Sequence, residues 1–244
     1  MAATLLIVSS PGSGCLVFGL GSRVIKLPRS IRAIGGLRRE RQGEIRALSD
    51  EFWRRYCVAG IFPGRIMKIA RRLRPLSDKR LLDNLLVELR ERAENVPPAP
   101  EDWAALYPRL ADLQTDVRDL NRWIATLFLG ERSASAHGDF CSANCLCDEG
   151  QLALIDWGGF RPVFWSDYDH VHFGIVEQSG GAPWREGLAA AVDQGLSNAL
   201  AARYLVCRSE LEMDQDIAMK RLTLKRRKKY LDTITWAMTE LCPP

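Results

Sequence analysis

The chain has 244 residues, enough for one large domain or two small lobes around a sizeable core. Hydrophobic residues make up 47% and charged residues 26%, an ordinary globular composition. The net charge of +4 is too mild to imply nucleic-acid binding, though it suits an anionic ligand, and no apolar run reaches the ~18–20 residues of a membrane-spanning helix.

The N-terminus, MAATLLIVSSPGSGC, superficially matches a lipoprotein signal ending at Cys15, but it lacks a basic leading segment and reads better as strands. TLLIVSS, CLVFGLG and RVIKLP are three strand candidates separated by glycine-bearing turns, and Pro28 ends the third. From Gly36 the spacing predicts a helix despite Gly43. A short extended stretch over 64–73 precedes a second helix with Ser77 as N-cap and Leu81, Leu82, Leu85, Leu86 and Leu89 on one face. Residues 95–103, NVPPAPEDW, read as a linker. Leu113, Val117, Leu120, Ile124 and Leu127 then recur at helical spacing. An aromatic loop is expected at 160–173, with helices near 185–206 and 214–241. The seven cysteines are odd in number and scattered, which predicts free thiols in a reduced, cytoplasmic setting.

The most informative stretch is HGDFCSAN, 137–144, followed by LALIDWG, 152–158. Between them, NCLC and LALI flank the polar turn Asp148-Glu149-Gly150-Gln151, the pattern of a β-hairpin. If Cys147 pairs near Leu152, Asn144 comes back opposite Ile155 or Asp156. An amide oxygen and a carboxylate are then side by side, a pair that suits Mg²⁺. Asp139, on the loop entering the hairpin, can face the same cavity and orient a hydroxyl proton.

H-G-D-x-x-x-x-N followed by I-D-W-G resembles the catalytic core of the aminoglycoside phosphotransferase and choline kinase family, which has a protein-kinase-like fold. The resemblance implies an α+β chain with a small β-rich N-lobe, residues 1–74, and a larger, mainly helical C-lobe, residues 75–244. It implies Asp139 as catalytic aspartate, Asn144 and Asp156 as metal ligands and His137 as the brace of the loop. Asp169, in SDYDHVHF, becomes the partner holding that loop, with Asp167 as competitor. Upstream it implies Lys26 on the nucleotide phosphates and Glu44 as its helix partner, with Glu40 one turn earlier as alternative. It also puts a phosphate loop at Gly12, Ser13 and Gly14, although the third glycine of a kinase loop is missing.

The implied activity is Mg²⁺-dependent transfer of the γ-phosphate of ATP or GTP to a hydroxyl of a sugar, an amino alcohol or an aminoglycoside. A polycationic acceptor would need carboxylates, and RSELEMDQD, 208–216, supplies four. Two alternatives belong to other classes: a catalytically silent nucleotide-binding scaffold, and a nucleic-acid module using the basic run 220–230, KRLTLKRRKKY. That run reads first as the solvated face of a helix whose apolar stripe is Ile217, Leu224, Leu231 and Met238, joined by Ile234 and Leu241, and second as a patch for an anion. His170 and His172 read as packing or pocket edge. Cys141, Cys145 and Cys147 lack a familiar zinc spacing and read as small buried hydrophobes.

Overall fold

The computed structural model describes residues 6–10, 14–96, 103–113, 119–180 and 184–243. β1 (Leu6–Ser10), β2 (Cys15–Leu20) and β3 (Arg23–Pro28) form an antiparallel meander, and β4 (Lys68–Arg71) pairs with the other edge of β3. The register sets Leu20 opposite Arg23 and Lys26 opposite Lys68.

Between β3 and β4 runs α1 (Ile31–Ser49), which begins earlier than Gly36. Ser30 caps it, its hydroxyl accepting from the Ala33 N–H at 3.3 Å. Gly43 is buried in mid-helix for a steric reason: a Cβ there would lie 1.8 Å from the Trp157 carbonyl oxygen. The helix thus accepts a propensity loss of about 1 kcal/mol to let two backbones touch.

After Arg71 the chain changes sheets. β5 (Arg74–Pro75) pairs with β7 (Cys145–Asp148), which pairs with β8 (Gln151–Leu154). α2 (Lys79–Asn95) is capped by Asp78, one residue after the expected Ser77, because the Asp78 carboxylate accepts from the Arg80 N–H at 3.1 Å. Leu85 and Leu89 are buried, and Leu81, Leu82 and Leu86 pack partly buried against the same cluster. Most of the expected linker at 95–103 lies outside the described residues.

α3 (Pro108–Ala111) is a single turn. The helix expected over 113–127 is cut short: Asp119 takes a left-handed φ of 61°, and α4 (Leu120–Leu127) starts after it. Leu113, Leu120, Ile124 and Leu127 still share one core, while Val117 lies outside the described residues. The aromatic stretch expected as a loop is instead β9 (Arg161–Trp165), paired with β6 (Ser133–Ala136), followed by α5 (Tyr168–Gln178). Phe164, Trp165 and Tyr168 are fully buried, which a solvated loop could not achieve.

The C-terminal part holds α6 (Trp184–Asp193), α7 (Asn198–Ala218) and α8 (Leu224–Trp236). The single helix expected over 214–241 is broken where Lys220 adopts φ 52° and Thr223 caps α8. The apolar stripe therefore does not run through. Leu224 is 87% exposed, while Ile234 and Met238 of the stripe are buried beside Tyr230, and Leu231 and Leu241 pack partly buried against the same core.

Two apolar clusters hold these parts together. One lies among the C-terminal helices around Tyr107, Phe128, Trp165 and Tyr204. The other joins Trp53, after α1, to Leu85 of α2, the β7–β8 hairpin and Trp157. Trp53 also donates through Nε1 to the Ser135 carbonyl at 3.0 Å.

Gly43→Ala tests the close approach. Alanine has the higher helix propensity, yet the variant is expected to lose about 1–3 kcal/mol in urea unfolding, because overpacking against a backbone carbonyl outweighs that gain.

Candidate active site

The β7–β8 hairpin builds one side of the site. Cys147 stands opposite Leu152 and Cys145 opposite Leu154, around a tight turn in which Glu149 and Gly150 have φ of 50° and 87°. One rung further, the Ile155 N–H donates to the Asn144 carbonyl at 3.1 Å. Asn144 thereby stands opposite Ile155, the residue before Asp156 in the chain. Asp156 itself is left-handed, with φ 61°, a conformation that turns the chain sharply after the strand.

The loop 137–140 is clamped from behind. Asp169 accepts from the backbone N–H groups of both His137 and Gly138, at 2.6 and 2.9 Å. Burial pushes the Asp169 carboxyl up to about 7, against the opposing pull of those two donors and Arg92. Gly138 has φ 85°, and a Cβ on it would sit 2.2 Å from the Gly159 carbonyl oxygen. Asp167 caps α5 without a side-chain hydrogen bond, so Asp169, not its competitor, holds the loop.

His137 is fully buried, and its two nitrogens do different work. Nδ1 accepts from the Asp139 N–H at 3.3 Å, so Nε2 carries the proton and donates to the Ile155 carbonyl at 3.0 Å. Burial pulls its pKa down to about 4, which keeps the ring neutral. The imidazole thus ties the loop to the strand end that carries Asp156.

Asp139 faces the cavity with its side chain 46% exposed. Arg208 of α7 donates to Oδ1 at 3.1 Å, and His172 Nε2 lies 3.4 Å from the same oxygen. The Asn144 amide donates to the Asp139 carbonyl oxygen at 2.8 Å and stands 3.5 Å from Oδ2. Burial alone would favour the protonated acid, but His172 and Arg208 outweigh it and hold the carboxyl well below the usual carboxylate range. His172 is buried between Tyr168 and Tyr204, and Nδ1 meets the Tyr204 hydroxyl at 2.9 Å. His170 lies at the surface, 3.4 Å from Arg90.

Across the cavity, Lys26 contacts Glu40 at 2.8 Å and Asp156 at 2.7 Å. Glu40, not Glu44, is the helix carboxylate that pairs with Lys26. Glu44 turns to Lys68 and accepts from the Gly60 N–H at 2.9 Å, while Glu40 also holds Lys68 at 2.6 Å. Both lysines are desolvated, yet the carboxylates win and hold each ammonium above its ordinary pKa. Glu40, with two cations, is held down; Glu44, with one, is pushed up by burial.

Lys26, Glu40, Asp139, Asp156 and Arg208 line one cavity of about 1610 Å³. Among the described residues no group of three His, Cys, Asp or Glu side chains surrounds a point. The donors at the hairpin base are of another kind: the Asn144 amide uses its nitrogen on Asp139, leaving its oxygen as acceptor, and Asp156 keeps a second carboxylate oxygen beside the one on Lys26. This small set of hard oxygens fits Mg²⁺, which takes few protein ligands and completes its shell with phosphate and water.

Gly14 closes the β1–β2 turn with φ 63°, its carbonyl accepting from the Arg29 N–H at 2.9 Å; Gly12 and Ser13 lie outside the described residues. All seven cysteines are free. Lys68, Arg208 and the contact of His172 with Asp139 escape a reading of the sequence. Each reaches the site by tertiary packing, with no local motif to mark it.

No protein-family model and no curated protein sequence matches the chain. Solved structures are similar to it. The GDP complex of wild-type aminoglycoside 2'-phosphotransferase-IIIa superposes with a TM-score of 0.50 at 12% identity, over 97% of this chain and 93% of that one. Macrolide 2'-phosphotransferase from Brachybacterium faecium, as apoenzyme, gives 0.49 at 15% identity over 99% and 93%. A choline/ethanolamine kinase family protein from Mesorhizobium loti gives 0.46 at 13% identity over 100% and 90%. The first of these likenesses shows the fold. It is the α+β, protein-kinase-like arrangement of a small antiparallel sheet with one long helix and a larger helical part. No helix among the described residues is long and apolar enough to cross a membrane.

Two variants test the charge network and the loop brace. Glu40→Gln removes the charge shared by two ammonium groups, each of which keeps one other carboxylate, and is expected to cost about 1.5–3 kcal/mol in urea unfolding. His137→Gln is expected to be destabilising at pH 7 by an amount that shrinks as pH falls. The unfolded histidine takes a proton near its usual pKa of about 6.5, while the folded ring resists to about 4, so the wild type loses His137's contribution across that window. A deficit independent of pH would contradict a neutral, buried His137.

Proposed function

We propose that the protein is a small-molecule kinase that transfers the γ-phosphate of ATP or GTP to a hydroxyl group of a metabolite or antibiotic. The reading rests on one observation above all: a recessed but accessible Asp139 carboxylate shares a cavity with a lysine bound to both a helix carboxylate and the hairpin aspartate. The fold supports it.

In this reading residues 1–74 hold the nucleotide and residues 75–244 supply the catalytic loop and the acceptor pocket. Lys26, kept protonated by its neighbours, binds the phosphates, with Glu40 fixing its direction. Gly12, Ser13 and Gly14 belong to the loop over the phosphates. Asn144 and Asp156 would hold Mg²⁺, whose bound charge offsets that of the phosphate oxygens. Asp139 orients the acceptor hydroxyl. Its Oδ1 is engaged by Arg208 and His172, so Oδ2 receives the hydroxyl proton as the oxygen–phosphorus bond forms and the bond from the γ-phosphorus to the bridging oxygen breaks. His137 and Asp169 contribute by holding the loop, without moving protons.

Asp139→Asn keeps the shape and removes the charge. Phosphate transfer is expected to fall about 10²–10⁴-fold while the nucleotide dissociation constant, measured by calorimetry, stays within about threefold. Equal turnover by the variant and the parent protein would refute the role.

A further inference from the structure

The kinase reading leaves the acceptor's chemistry open, and the walls of the cavity beyond Asp139 narrow it. That part of the cavity lies between α6, α7 and α8. At about 1610 Å³ in all, the cavity exceeds the roughly 300–1,000 Å³ of a pocket for one small molecule, so a second ligand fits beside a nucleotide.

A polycationic acceptor would need free carboxylates there, and the four of residues 208–216 are all engaged. Glu210 accepts from the N–H groups of Arg109 and Leu110, both at 2.9 Å, at the start of α3. Glu212 accepts from Trp184 Nε1 at 2.6 Å and Arg208 Nε at 3.3 Å. Asp214 is held by Arg39, Arg109 and Arg161 at 3.3, 3.1 and 2.8 Å. Asp216 pairs with Arg226 and accepts from the Tyr230 hydroxyl at 2.9 Å. An incoming ammonium would meet a carboxylate that already serves an internal donor at every one, although both bonds to Glu212 fall on Oε1.

The cations of the same wall are less well matched. Lys225 and Lys229 of α8 line the cavity and make no ion pair among the described residues. Arg185 of α6 lies over the Trp184 ring at 4.3 Å and comes no nearer to a carboxylate than 3.8 Å, a loose pair with Glu212 Oε2. Burial and the charge of Arg185 pull the Lys229 pKa below its ordinary value, the mark of like charges sharing one space. Among the described residues Asp193 is the lining carboxylate left without an ion pair, against Lys225, Lys229 and the loosely paired Arg185. At the reacting end, Arg208 lies between Asp139 and Glu212, at 3.1 and 3.3 Å, so its one charge is shared by both carboxylates.

We propose that the acceptor is a hydroxylated small molecule bearing an anionic oxygen group, a carboxylate or a phosphate, which Arg185 and Lys229 bind while its hydroxyl meets Asp139. The inference rests on the kinase reading and adds the sign of the acceptor's charge. It turns that reading away from aminoglycosides and amino alcohols.

The test is phosphate transfer by the full chain from Mg-ATP to matched acceptors: a hydroxycarboxylate against its primary amide, a sugar phosphate against its parent sugar, and choline and an aminoglycoside as cations. The expected result is a kcat/KM at least about tenfold higher for the anionic member of one pair, and which pair responds tells carboxylate from phosphate. Lys229→Gln, at an exposed position, is expected to raise the KM for that acceptor about tenfold and to leave the nucleotide KM alone. Lys229→Glu should favour the uncharged partner. Asp139-dependent transfer only to neutral or cationic acceptors, or an acceptor KM indifferent to Lys229→Gln and Arg185→Gln, would overturn the anionic acceptor and leave the kinase standing. No Asp139-dependent transfer to any acceptor and no nucleotide binding would overturn both.

Discussion

Two lysines face each other across neighbouring antiparallel strands, and the site depends on what separates them. Like charges directly opposite on one face of a sheet repel. Lys26 and Lys68 occupy such a pair, and the carboxylate of Glu40 sits between their ammonium groups. Because Glu40 belongs to α1, settling this repulsion also fixes the helix on the sheet. Because Lys26 also reaches Asp156, the same charges tie the sheet to the end of the hairpin. Three segments far apart in sequence are thus joined through Glu40 and the lysine it shares with Asp156.

What could be read from the chain beforehand was local. The hairpin register follows from a short polar turn, so pairing Cys147 with Leu152 brings Asn144 opposite Ile155, next to Asp156 in the chain, without further information. The choice between Glu40 and Glu44 is of another kind. Both lie on the same face of α1 one turn apart, and Lys68, which takes Glu44, enters on a strand separated from β3 by the whole helix. No turn length sets that register. The helix expected over 214–241 failed for a related reason. Its apolar residues kept helical spacing across a break made by a left-handed lysine and a threonine cap, with neither glycine nor proline to announce it.

The acidic run of α7 shows how spacing assigns partners. Glu210, Glu212, Asp214 and Asp216 alternate every second residue, and such steps fall on opposite sides of a helix, whereas residues four apart share a side. Glu210 and Asp214 accordingly both meet Arg109, and Glu212 and Asp216 both line the cavity beside α6 and α8. A stretch that looks in sequence like a single negative patch is thereby split into two rows, each consumed by a different set of arginines and amides.

The contact of Gly43 with the Trp157 carbonyl has a mechanical side. Helix and loop meet there backbone to backbone, with no intervening side chain to yield like a cushion. A tilt of α1 must therefore carry along the turn that begins at Asp156, and the lysine, its glutamate and the hairpin aspartate travel as one stiff plate. The same kind of contact recurs where Gly35 of α1 meets the Ala218 carbonyl and where Gly187 of α6 meets the Ile175 carbonyl, so those helices too are held without a cushion.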